Sequence, residues 1–270
     1  MDVLLLKLFL APALVVVSSV AGRRWGPAVA GVLVGLPIVA GPILFITYRQ
    51  HGAEFAARAA SSSLLALVSL AVFAVVFAHV GSQAGWVVTV ATTWITVLGA
   101  DFALSFVRVP VLVSFACSLV ATALAMLCMP KPEPVDALKK APTWDLPARA
   151  VATGVLVLVI TTASAALGPG WTGLLAPFPV ASTVLAGFIH AQQGSAMATR
   201  AMVGVLTGLF AFASFCFVLA VFTVPLGTAA FGLGIVVAAA VQLVVTRLGF
   251  RPPAWPAGSA SARRATPRRP

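Results

Sequence analysis

Along the chain, apolar runs of about 20 residues alternate with short clusters of glycine, proline and charge, the length needed to cross about 30 Å of hydrocarbon. The first run covers Val3 to Val20, with Lys7 near its outer end and Arg23-Arg24-Trp25 closing it. The second covers Gly26 to Tyr48 and the third Ala56 to Val80, separated by the polar hairpin Tyr48 to Glu54. From Trp86 to Met129 the only charges are Asp101 and Arg108, a stretch too long for one crossing. The pattern therefore predicts a break within Gly99 to Pro110, with spans near Trp86 to Ala100 and Val109 to Met129. After the polar connection PKPEPVDALKKAPTWDLPAR come four more runs: Ala150 to Leu167, Gly170 to His190, Ala198 to Phe222 and Leu226 to Leu248. Continuous apolar character selects helices over the alternating short strands of a barrel.

The runs are organised around a stretch that occurs twice. Residues 26–58 and 168–200 align without a gap, pairing Gly26 with Gly168, Pro27 with Pro169, Gly31 with Gly173, Pro37 with Pro179, Gln50 with Gln192, Gly52 with Gly194 and Arg58 with Arg200, at a constant offset of 142. Such agreement through glycine, proline and arginine points to duplication. Lys7 stands opposite Arg149 at the same offset, which places the first run inside the repeat and argues against a cleaved signal. The expected fold is all-α, a polytopic membrane protein of about nine spans built as two four-helix repeats and one linking helix. Its divisions are a first repeat at 1–107, the linking helix at 108–130, a cytoplasmic loop at 131–147, a second repeat at 148–249 and a disordered basic tail at 250–270. A fifth span between two four-span copies turns the second copy over, and inverted repeats place a transport site where glycine- and proline-broken helices meet. Here those are spans two and seven, which carry Pro37 and Pro179.

Composition sharpens this picture. Sixty-one percent apolar residues, 9% charged residues and a mean hydropathy of +1.08 exclude a soluble domain. Lysine and arginine concentrate in the 131–149 connection and the tail, so the C-terminus is expected in the cytoplasm and the N-terminus outside, with Arg49, Arg58 and Arg108 on the outer face. The partners implied are the lipid bilayer, anionic lipids at the basic tail, and a homo-oligomer or larger membrane complex. Nucleic acid is not an expected partner despite the net charge of +11, since no folded basic surface presents that charge. Cys117, Cys128 and Cys216 lie in apolar runs without metal or redox spacing, and there is no nucleophile with a nearby base and no phosphate-binding Gly-Lys motif. Neither an enzyme nor a cofactor is expected.

The polar residues within the spans are the candidates for chemistry. Arg58 and Arg200 begin corresponding helices and either snorkel to headgroups or face the bundle and hold an anionic group. With them, Pro37, Gln50, Pro179, His190 and Gln192 form the candidate substrate-binding set. Lys7 and Arg149, close to helix ends, are expected to snorkel. Asp101 sits either in the loop between spans four and five or inside the membrane, there paired with Arg108 as a proton-coupling acid. Two functions fit: a secondary transporter or flippase for a small or lipid-linked solute, and a non-transporting subunit of an envelope or exopolysaccharide assembly.

Gly173-Leu174, Pro177-Phe178-Pro179, a helix ending near Ala191 beside His190, then Gly194 and Arg200 leading into an apolar helix resemble the GlpM family of small bacterial inner-membrane proteins. The resemblance covers 145–248 and, through the repeat, 3–107. It implies four-span units, an inner-membrane location and a link to exopolysaccharide (alginate) production, and no established reaction. The chain departs from that pattern as a tandem fusion, in having Tyr48 where the second copy has His190, and in having Ala201 and Met202 after Arg200.

Overall fold

The structure is a computed structural model, and it describes residues 2–131, 141–167 and 178–248. Its elements are α1 (Asp2–Trp25), α2 (Pro27–Gly35), α3 (Ala40–His51), α4 (Ala53–Gly81), α5 (Trp86–Ser105), α6 (Val111–Cys128), α7 (Asp145–Leu167), α8 (Val180–Gln193), α9 (Ser195–Leu226) and α10 (Ala229–Arg247). Among the described residues, 8 stretches are long and apolar enough to cross a membrane, with α2 and α3 counted together as Pro27–His51. The chain is a polytopic helical membrane protein. The expected span Gly170 to His190 lies partly outside the described residues, and so do the tail and most of the polar connection before α7.

Local chemistry explains the interruptions. Leu36 precedes Pro37, and a residue in that position is pushed out of the helical region, so Leu36 is extended (φ −77°, ψ 156°) and α2 stops. The chain turns helical again at Ala40, one turn later, to give a span broken near its middle. Gly52 separates α3 from α4 at φ 85°, ψ 176°, and Gly194 separates α8 from α9 at φ 93°, ψ 172°. This backbone region is nearly closed to any residue with a Cβ. In both turns the glycine N–H donates to the carbonyl four residues earlier, Tyr48 O and His190 O respectively.

A shift of 142 residues carries α1 onto α7, α3 onto α8, α4 onto α9 and α5 onto α10, with bounds agreeing to within 3 residues. The shifted positions of α2 and α6 fall on residues outside the description. Arg23 at the end of α1 meets Asp145 at the start of α7, and Ser19 meets Arg149, so α1 and α7 run antiparallel. α2 runs parallel to α9: Gly31 lies against Ala201 and Gly35 against Val205 and Gly208. Those directions put the Gly52 turn and the Gly194 turn at opposite ends of the bundle.

α2 and α9 pack backbone against backbone. A Cβ added at Gly31 would collide with the Ala201 carbonyl oxygen, one at Gly204 with the Ala28 carbonyl oxygen, and one at Gly208 would stand 2.7 Å from the Gly35 carbonyl carbon. Glycines four apart on both helices (Gly31 and Gly35, Gly204 and Gly208) let the two backbones touch, the packing that lipid-embedded helices use in place of a hydrophobic driving force. With α4, α9 forms the axis: among the stretches long and apolar enough to cross a membrane, these two are the most buried, 67% and 50% against 33% or less in the others. Phe73, Phe77, Leu206, Leu209 and Phe215 fill the space along this axis. The outer faces of α5, α6, α7 and α10 carry exposed apolar side chains such as Ile95, Leu127, Val151 and Ile235, the surface presented to lipid.

The break between spans four and five falls at 106–110, inside the expected interval. Asp101, however, is not in that loop: it lies within α5 and is 6% exposed. It shares one face of α5 with Thr89, Thr93 and Val97, all buried. Each residue in that series is four along from the last, which is why one face turns inward.

Candidate functional site

At the Gly194 end, a cavity of 380 Å³ opens between the two halves of the chain. Its walls come from α1 and α2 (Ser19, Arg23, Ala30), from α7 (Asp145, Arg149) and from α8 (Leu185, Ile189, Gln192). Leu185 lies about 10 Å further along α8 than Gln192, so the cavity reaches well inside the bundle.

Asp145 organises the polar wall. It occupies the first turn of α7, where the unpaired backbone N–H groups favour a carboxylate. Its Oδ1 accepts from Arg149 Nε (2.8 Å) and from Gln192 Nε2 (2.6 Å), and its Oδ2 accepts from Arg23 Nη2 (2.7 Å). One carboxylate thus ties the ends of α1, α7 and α8 together. The side chains of Asp145 and Arg149 are 1% and 6% exposed, that of Arg23 39%. Arg149 also donates from Nη1 to Ser19 Oγ (3.3 Å), and its guanidinium carbon sits 5.2 Å from the Phe188 ring centroid, within range of a cation–π contact.

Two guanidiniums against one carboxylate leave the cluster with an excess positive charge in a weakly solvated place. The Oε1 of Gln192 is buried without a hydrogen-bond partner. The walls below, Ala30, Leu185, Ile189 and Met197, are apolar. Such a cavity suits a small solute with an anionic group and an apolar body.

Arg149 was expected to snorkel and does not. Asp145 lies one turn before it on the same helix face, so the guanidinium is held inward by a carboxylate instead of reaching for headgroups. The start of α7 at Asp145 also falls inside the stretch read from sequence as loop. The spacing Asp145-x-x-x-Arg149 was the available signal, and its reading as loop chemistry hid it.

Of the other candidates, Gln192 alone lines this cavity. Pro37 lines an apolar groove of 860 Å³ between α3 and α10, with Phe45, Phe231 and Ile235. Arg58 is exposed, pairs with Glu54 (3.5 Å) and lines a third cavity of 500 Å³. Gln50 is exposed at the end of α3, and Pro179 caps α8. His190 packs edge-on to Phe77, ring centroids 6.0 Å apart, with its Nδ1 buried and unpartnered. Arg200 is half-buried in the first turns of α9. No ion pair joins Asp101 to Arg108 among the described residues, so that expected pairing is not made. Comparison with protein-family models, with curated proteins and with solved structures finds no match.

Proposed function

We propose that the chain is a secondary carrier of a bacterial inner membrane, an inverted duplication whose halves enclose a site for a small solute bearing an anionic group. The observation that carries this reading is the cavity between the halves, walled by α1 and α2 from one and α7 and α8 from the other, with Arg23, Asp145, Arg149 and Gln192 converging on it. Carriers built from inverted repeats bind at such a junction, beside interrupted helices. The break at Leu36 and Pro37 in the span containing α2 agrees with that architecture. The matching helix bounds and the paired Gly52 and Gly194 turns support duplication, and the likeness to the GlpM family belongs to the same proposal. Lysine and arginine are concentrated at the Gly194 end and in the connection and tail that join it, which makes this end cytoplasmic.

Alternating access is the property to test. In a chain with Cys117, Cys128 and Cys216 replaced by serine, Leu185→Cys marks the inner end of the cavity. A carrier exposes that thiol to a membrane-impermeant maleimide from both sides, because the site must open to each face in turn. Labelling from the Gly194 side alone leaves a blind cavity and defeats the proposal. The second reading, a non-transporting subunit of an envelope or exopolysaccharide assembly, is favoured by the filled axis of Phe73, Phe77, Leu206 and Phe215, and it expects that one-sided result.

A further inference from the structure

Near the middle of the bundle, Asp101 is a carboxyl with no ion partner among the described residues, inside a helix long and apolar enough to span the bilayer. Its Oδ2 is buried and accepts no hydrogen bond. α4 packs against α5, and on it Ser69, 2% exposed, likewise has a buried hydroxyl without a hydrogen-bond partner. A lone ionised carboxylate is costly in such surroundings, whereas a carboxyl that takes up a proton is not.

A cavity of 500 Å³ lies on the Gly52 side of this pair, lined by Arg58, Ser61, Ser62 and Leu65 of α4, by Arg108 and Pro110 of the α5–α6 loop, and by Ser114 of α6. Ser62, Leu65 and Ser69 occupy one face of α4 at helical spacing, so Ser69 is one turn below the cavity's Leu65. α5 packs on α4 and α8, and the titratable or charged groups on those helices are Glu54, Arg58, His79 and His190. Glu54, Arg58 and His79 are each about 15 Å or more from Ser69 along α4. His190 lies against Phe77 and Gly81, toward the Gly194 end. None of them faces Asp101, and Arg108 stands beyond the end of α5.

We propose that Asp101 and Ser69 form a proton-binding site within the bundle, reached from the Gly52 end through the cavity under Arg58 and Arg108. One carboxyl and one hydroxyl fall short of the six or more oxygens that a hard metal cation gathers, and they suffice for a proton. The site rests on the carrier reading for its purpose, which is to couple the cavity at one end to a proton entering at the other. Proton binding itself is independent of that reading.

The test uses the full chain in phosphatidylcholine vesicles and dicyclohexylcarbodiimide, an apolar reagent that adds to protonated carboxyls, with peptide mass mapping. The chain has 6 acidic residues, so assignment is direct. Asp101 is expected to take the adduct at acid pH and to lose it several-fold at alkaline pH. Asp101→Asn removes the adduct, and Ser69→Ala keeps it but moves the pH midpoint, an arm that stands even if Asp101→Asn folds poorly. No adduct at Asp101 at any pH, labelling that ignores pH, or protection by sodium at constant pH each overturns the proposal. One-sided maleimide labelling at Leu185→Cys defeats the carrier and leaves this result untouched, so the two failures are separable.

Discussion

At the Gly194 end of the bundle, Asp145 gathers Arg23, Arg149 and Gln192 around one buried carboxylate. At the positions that a 142-residue shift marks at the opposite end stand Ala165, Val3, Lys7 and Gln50. The glutamine and a cation are kept there, while the carboxylate and the second arginine are replaced by valine and alanine. Yet the turns at the two ends are alike, Gly52 and Gly194 sharing φ, ψ and the same hydrogen bond. Backbone symmetry is thus set by glycine and proline, and chemical asymmetry by a few side chains. The two ends thus share a backbone frame, while a carboxylate that gathers arginines is found at the Gly194 end.

The shared frame can be broken first. Gly31→Leu or Gly204→Leu forces α2 off α9, and backbone-to-backbone contact has no side chain that could yield, so loss of folded protein is expected. Gel filtration in detergent reads this directly. The chemistry of one end comes next. Asp145→Asn leaves a nearly buried Arg149 without its counter-charge and is expected to cost about 3–5 kcal/mol in thermal unfolding, while Gln50→Ala, at the exposed counterpart of Gln192, costs far less. An equal effect at both positions would mean that the cluster is not the feature distinguishing the ends.

Gly52→Ala and Gly194→Ala sharpen the comparison from the other side. Each places a Cβ in a backbone region nearly closed to it, for about 1–3 kcal/mol, and the two costs should match because the turns do. Markedly unequal losses would show that the frame is symmetric in shape and not in energy. The smallest effect is expected at Arg23→Ala: with 39% of its side chain exposed, solvent screens the pair with Asp145, and the loss should stay within about 1 kcal/mol.

Much of the frame was legible. Hydrophobic run length located the spans, Pro37 marked the break after α2, and Gly52 and Gly194 marked the turns, because each of these is a local constraint of backbone sterics or bilayer thickness. The site was less so. Gln192 was recognised from its repetition, but its acceptor Asp145 was read as part of a polar loop and Arg149 as a snorkelling side chain. Asp101 was read first as a loop residue and only then as a membrane one, since an acid near the end of an apolar run has no local signature of its burial. Pro37, Gln50, Arg58, Pro179, His190 and Arg200 share the repeat with Gln192 yet are distributed to other surfaces.

From sequence alone follow a helical membrane protein, the places where its helices start, break and turn, and a 142-residue periodicity in those places. Hydropathy and backbone sterics act over one helix or less, so they can be read in order along the chain. Which arginine meets which carboxylate was decided by tertiary structure. The antiparallel course of α1 and α7 brings Arg23 and Asp145 together across 122 residues of chain, and a carboxylate can recruit partners only from what the fold carries within about 3 Å of it.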